Sequence, residues 1–199
     1  MNTGSGLKKF EFGGFFDFLK EVSGIILMSL IIVIPIRIFL IQPFIVKGAS
    51  MEPNFYEGQY LIVNEIGWTL KGAERGEVII FKNPRDQKDY YIKRVIGLPG
   101  ETIEVKNGRV YIFNDEHPEG FVLDESKYLP IGRITSNDTR EVLAQDEYFV
   151  LGDNRGKSSD SRIWGKLDED LIVGKTWIRV LPFDRFEIYS ESPFEPVSE

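Results

Sequence analysis

Asp89-Tyr90-Tyr91-Ile92-Lys93-Arg94-Val95-Ile96 is the stretch on which the fold turns. Its Tyr, Ile and Val content favours a pleated, half-buried backbone over a helix. Successive side chains on a strand alternate faces, so Tyr91, Lys93 and Val95 share one side and Ile92, Arg94 and Ile96 the other. Each face therefore receives one basic residue among apolar ones. In a sandwich or barrel at least one of the two is partly buried. Burial disfavours an ammonium and lowers its pKa. A neutral amine can then take a proton from a serine hydroxyl. The plainer alternative for Lys93 is a solvated lysine on a sheet edge.

Neighbouring runs repeat the strand pattern. Gln59 to Asn64, Glu77 to Lys82, Glu147 to Leu151 and Leu171 to Val180 are rich in β-branched and aromatic residues. Thr102 to Val105 and Arg109 to Phe113 flank Asn107-Gly108, a strong two-residue hairpin signal. Pro and Gly punctuate these runs, and no long 3.6-residue period follows Leu40. The expectation is a mostly β, antiparallel domain over residues 42–199, not βαβ repeats. Phe121 to Asp146 is polar and irregular, so a short insertion is expected at about 114–146. The tail from Ser190 to Glu199 is expected to fray.

Upstream lies the longest apolar run, Val22 to Leu40. As a helix at ~1.5 Å per residue it spans about 28 Å, the thickness of the bilayer hydrocarbon. A transmembrane anchor is expected over 22–41, kinked at Pro35, with Arg37 near one end where its stem can reach the interface. A cleaved leader would have a shorter apolar core and a small-residue cleavage site, whereas bulky Ile38-Phe39-Leu40-Ile41 follows here. Residues 1–21, with Lys8, Lys9 and Lys20 among phenylalanines, read as a cytoplasmic lead-in. The basic residues slightly favour an exported C-terminal domain.

Just past the anchor comes Lys47-Gly48-Ala49-Ser50-Met51-Glu52-Pro53. Small residues before Ser50 permit close backbone approach, and Pro53 fixes the exit path. The arrangement suits a hydroxyl displayed at a turn, although serine is also an ordinary turn residue. Further on, Gly152-Asp-Asn-Arg-Gly-Lys-Ser-Ser-Asp-Ser-Arg162 is denser in polar groups than a linker requires. Asp160 and Arg162 can pair there, and its hydroxyls can reach a buried amine. The loop lacks the ligand spacing of a calcium-binding EF-hand.

Composition narrows the chemistry. The chain has 199 residues, no Cys and one His. Thiol nucleophiles, thiolate metal sites and disulfides are excluded. A Ser-His-Asp triad would have to use His117, which sits in the turn-like Asn114-Asp115-Glu116-His117-Pro118. The net charge of −7 argues against nucleic acid, which needs a basic footprint.

Together these blocks resemble the bacterial type I signal peptidases, membrane-bound Ser-Lys endopeptidases. The matching segments, in the family's order after an anchor, are Gly48 to Pro53, Gly76 to Phe81, Tyr91 to Glu101 and Gly152 to Arg162. The resemblance implies that Ser50 is the nucleophile and Lys93 the general base. It implies that Ser158 hydrogen-bonds and orients the lysine, and that Asp160 and Arg162 form a structural ion pair. An oxyanion hole is implied at the Ser50 N–H. Gly48 stands where some members carry a serine hydroxyl, so that side-chain donor is missing. Shallow pockets for small substrate side chains are expected around Val46, Met51, Tyr91 and Ile92. The implied substrates are secretory preproteins cleaved after small residues at the membrane surface. Apart from the lipid bilayer no other partner is implied, and neither cofactor nor metal.

Overall fold

The computed structural model describes residues 12–39 and 41–189. The chain divides into two units, Met1–Leu40 and Ile41–Glu199. The first contains helix α1 (Phe12–Phe39), which starts upstream of the apolar run and continues through Pro35. Its side chains from Ile25 to Val33 are exposed. Among the described residues, no helix is long and apolar enough to cross a membrane. The stretch 14–33, whose side chains are described, includes Asp17, Lys20 and Glu21; the side chains of the continuation to Phe39, Arg37 among them, lie outside it. The expected 22–41 span is therefore not found as such. The lead-in lysines Lys8 and Lys9 and the tail from Ser190 also lie outside the described residues.

The second unit is built almost wholly of antiparallel strands. In chain order they are β1 (Ile41–Ile45), β2 (Tyr60–Asn64), β3 (Val78–Lys82), β4 (Tyr90–Gly97), β5 (Thr102–Lys106), β6 (Arg109–Phe113), β7 (Phe121–Val122), β8 (Thr139–Val142), β9 (Glu147–Leu151), β10 (Leu167–Asp168), β11 (Ile172–Leu181) and β12 (Glu187–Ile188). Two short helices, α2 (Glu65–Lys71) and α3 (Ser161–Trp164), interrupt them. The large sheet runs β1-β2-β11-β3-β4-β9-β10, with β12 also on β11; the small sheet runs β7-β6-β5-β8.

Central strand β3 shows why the large sheet needs cover on both faces. Ile79 and Phe81 join a cluster with Val95, Val150 and Leu167, while Val78 and Ile80 join another with Leu61, Val63 and Ile92. A continuous apolar run is what such a doubly covered strand requires. Burying each large apolar side chain here contributes roughly 1.5–3 kcal/mol relative to exposure. A third cluster, with Ile103, Val105, Val110 and Ile112, fills the small sheet's inner face and reaches Ile96 and Phe149 of the large one. The β5–β6 hairpin turns at Asn107 and Gly108, both with positive φ, and pairs Val105 with Val110.

The 114–146 stretch carries more order than its sequence suggests. Strands β7 and β8 lie within it, and Leu123, Tyr128 and Leu129 join the third cluster. At two and four residues these strands are too short to show an alternation. Strands β1 and β10 and helix α2 were likewise not legible. Pro43 in β1 reads as a break, yet β1 pairs on one side only, where an edge strand tolerates proline.

Candidate active site

Ser50 sits in a turn that begins at Gly48, whose φ of 75° needs glycine. Asn54 and Phe55 N–H groups close the turn onto Met51 O at 3.0 and 2.9 Å. From behind, the 152–162 loop braces it. Asn154 N–H donates to Ser50 O, and Asn154 Nδ2 to Ala49 O, each at 3.0 Å. The approach is so close that a Cβ on Gly152 would meet Ser50 O at 2.5 Å and Ser158 Oγ at 2.2 Å. Only glycine fits there.

Strand β4 delivers the two basic residues, and both are buried: Lys93 is 3% exposed and Arg94 6%. Their electrostatic situations are opposite. Arg94 donates to both Asp153 oxygens, at 2.8 and 2.6 Å, and to Gly76 O, and its guanidinium lies over the Tyr128 ring. Its buried charge is fully paired and hydrogen-bonded. Among the described residues Lys93 makes no ion pair. Its Nζ donates to Ser50 Oγ at 2.8 Å and to Ile92 O at 2.9 Å. Loss of hydration pushes its pKa down from the usual 10.5 to about 8, against the opposing pull of the Asp160 and Asp153 carboxylates. The structure thus brings a hydroxyl and an amine of lowered proton affinity into contact across 43 positions of sequence.

Asp160 is fully buried and held by Arg162, through Nε at 2.8 Å and Nη2 at 2.7 Å. It also caps α3 and accepts the Gly152 N–H at 3.0 Å, tying the loop to the strand that precedes it. Ser158 lies in the same loop and is buried, but its Oγ has no hydrogen-bond partner among the described residues. The expected bond from Ser158 to Lys93 is not made. Lys93 instead spends donors on Ser50 Oγ and Ile92 O.

A groove of about 800 Å³ opens beside Ser50 and Lys93, lined by Phe44 to Lys47 on one side and Tyr90 to Ile92 on the other. Val46, Tyr91 and Ile92 line it. Met51 does not: it is 1% exposed and packs in the core with Phe55 and Leu61, because the turn that exposes Ser50 points its neighbour inward. A smaller cavity of about 370 Å³, lined by Arg94, Thr176, Arg179 and Tyr189 among others, touches neither Ser50 nor Lys93. His117 is exposed, in the turn between β6 and β7, stacked edge-on against Phe121.

Sequence reasoning missed Asp153, Asn154 and Arg155 as individuals. Arg155 is wholly buried, and its guanidinium reaches Glu125 and Thr135 of the 114–146 stretch. The polar density of the loop was the available signal; nothing local shows which partner each residue meets.

The model of the family described as signal peptidase, peptidase S26 matches residues 19–181. The chain belongs to this signal peptidase family. Signal peptidase IB of Staphylococcus aureus is 35% identical over 178 residues, which is 84% of this chain and 92% of that protein. A probable signal peptidase I-1 of Synechocystis sp. is 31% identical over 188 residues, 90% of this chain and 91% of that protein. The crystal structure of a signal peptidase I from Enterococcus faecalis aligns at a TM-score of 0.43 with 30% identity, covering 53% of this chain and 97% of that one. The family relation makes this signal peptidase a hydrolase.

Proposed function

We propose that this signal peptidase is a serine endopeptidase that removes signal peptides from exported preproteins, with Ser50 as nucleophile and Lys93 as general base. The observation that carries the reading is the 2.8 Å contact between Nζ and Oγ, made by a lysine that is buried and, among the described residues, without an ion pair. In its neutral form Lys93 takes the Ser50 proton as Oγ attacks the scissile carbonyl. The resulting ammonium protonates the departing amine, leaving an ester on Ser50. Lys93 then takes a proton from water as it attacks the ester carbonyl, and returns that proton to Ser50 Oγ as the acyl–Oγ bond breaks.

Substrate enters as an extended strand in the groove. From Tyr90 to Lys93, β4 pairs with β3 on one side, while its pairing with β9 begins only at Arg94. The free edge of that first half can accept a peptide by strand addition. Val46, Tyr91 and Ile92 border it and offer apolar contacts for small side chains. Asp160 and Arg162 keep the 152–162 loop folded against the nucleophile turn, and Ser158 supplies a buried hydroxyl beside Ser50 O.

The same reading puts the enzyme in the cell membrane as a single-pass protein, anchored over 22–41, with residues 1–21 cytoplasmic and residues 42–199 on the exported side. The bilayer-length apolar run and the exposed apolar side chains of α1 support it. Ser50→Ala and Lys93→Met are each expected to abolish cleavage of a labelled preprotein by the detergent-solubilised enzyme while its circular dichroism is unchanged. Retained processing by either folded variant removes the dyad.

A further inference from the structure

Acyl transfer needs hydrogen-bond donors where the scissile carbonyl oxygen gains negative charge. In this chain position 48 is glycine, so no hydroxyl stands two residues before Ser50. The Ser50 N–H itself donates to no protein group among the described residues. Its direction is set from across the molecule. Ala49 O accepts from Asn154 Nδ2 at 3.0 Å, and Ser50 O accepts from Asn154 N–H at 3.0 Å. In a planar trans peptide the C=O and N–H point opposite ways. Tying Ala49 O toward Asn154 therefore turns the Ser50 N–H away from the loop; tying Ser50 O does the same for the Met51 N–H. Asn154 is 9% exposed, so water competes poorly for these bonds. Among the described residues the one other donor to Ala49 O, the Glu52 N–H, stands off at 3.4 Å and holds it weakly.

We propose that Asn154 is the positioning residue of the oxyanion hole: its side-chain amide fixes the tilt of the Ala49–Ser50 peptide and so aims the Ser50 N–H at the transition-state oxygen. The inference rests on Ser50 being the nucleophile. Asn154 acts through the backbone and does not itself touch the substrate.

The test uses the full chain in detergent with a signal-sequence peptide. Asn154→Ala keeps the backbone bond to Ser50 O and loses only the amide; Asn154→Asp keeps the shape but sets an acceptor against Ala49 O. Expected is a fall in kcat of ~10²-fold or more, comparable to losing an oxyanion donor, with KM within about threefold. Affinity for a peptide aldehyde, whose hemiacetal oxygen occupies the hole, drops by a similar factor. Affinity for the matching uncleavable peptide amide holds, as does the pH at which the rate rises. Wild-type kcat in folded Asn154→Ala overturns the proposal, and so does equal weakening of aldehyde and amide, the pattern of a merely structural role. Should Asn154→Asp not fold, Asn154→Ala decides alone. Ser50→Ala run in parallel separates the two levels. Activity in Ser50→Ala sinks the nucleophile assignment, whereas an inactive Ser50→Ala beside a fully active Asn154→Ala sinks only the role of Asn154.

Discussion

Replacing Lys93 with methionine is expected to inactivate the enzyme and, at neutral pH, to stabilise it. Lys93 is 3% exposed, and its pKa is lowered from 10.5 to about 8. Keeping it protonated in the folded state therefore costs about 3 kcal/mol, at ~1.36 kcal/mol for each tenfold change in proton affinity. Methionine fills similar space without charge. It also loses the donors to Ser50 Oγ and Ile92 O, which gives back about 1 kcal/mol for each bond. The net expectation at pH 7 is a variant about 1 kcal/mol more stable than wild type. The pH dependence has a definite sign. Below pH 8 the folded and unfolded wild-type chains both hold the proton, and the penalty is complete. Between about 8 and 10.5 the unfolded chain keeps a proton that the folded chain has released, so wild-type stability rises with pH. The variant lacks that slope, and its advantage shrinks and then reverses across this window. Urea unfolding of both proteins in the same detergent, at a series of pH values from neutral upward, measures the gap. A methionine variant less stable than wild type at pH 7, or a gap that does not change with pH, would refute the claim that burial penalises the ammonium.

Cleavage rate should climb with pH to a plateau, with its midpoint near the Lys93 pKa of about 8; roughly a tenth of the enzyme then carries the neutral base at pH 7. A rate already flat at pH 6 contradicts a lysine base. Arg94→Met leaves the fully buried Asp153 carboxylate without its guanidinium and should destabilise the fold by ~3–5 kcal/mol, read from the shift in urea midpoint. His117→Ala removes an exposed ring that touches only Phe121 among aromatic neighbours, and kcat/KM should stay within about twofold of wild type. A loss of several orders there would restore a histidine mechanism.

Much of the large sheet was legible because its strands are long enough to display a period. The run Asp89 to Ile96 foretold β4 and its two faces, and the Asn107-Gly108 turn foretold the β5–β6 hairpin. The small sheet was only half legible. Strands β5 and β6 announce themselves, but β7 and β8 draw their order from pairing with them, not from local preference. Among site residues, Ser50 and Lys93 were distinguished by residue type and by resemblance. Met51 was misplaced because a turn's facing cannot be read from composition. Ser158 was assigned a bond that the folded loop does not make.

Taken alone, the sequence determined the available chemistry: a serine after small residues, a lysine in an apolar strand-like run, one histidine and no thiol. It also determined that the backbone is mostly extended, since alternation and turn residues act over a few positions. Tertiary structure alone decided that both adjacent cations are buried and which of the two meets a carboxylate. Arg94 finds Asp153 at a separation of 59 residues and is paired, while Lys93 finds Ser50 at 43 and, among the described residues, no carboxylate in contact. Desolvation and pairing are properties of three-dimensional surroundings, and those two neighbours along the chain meet different ones.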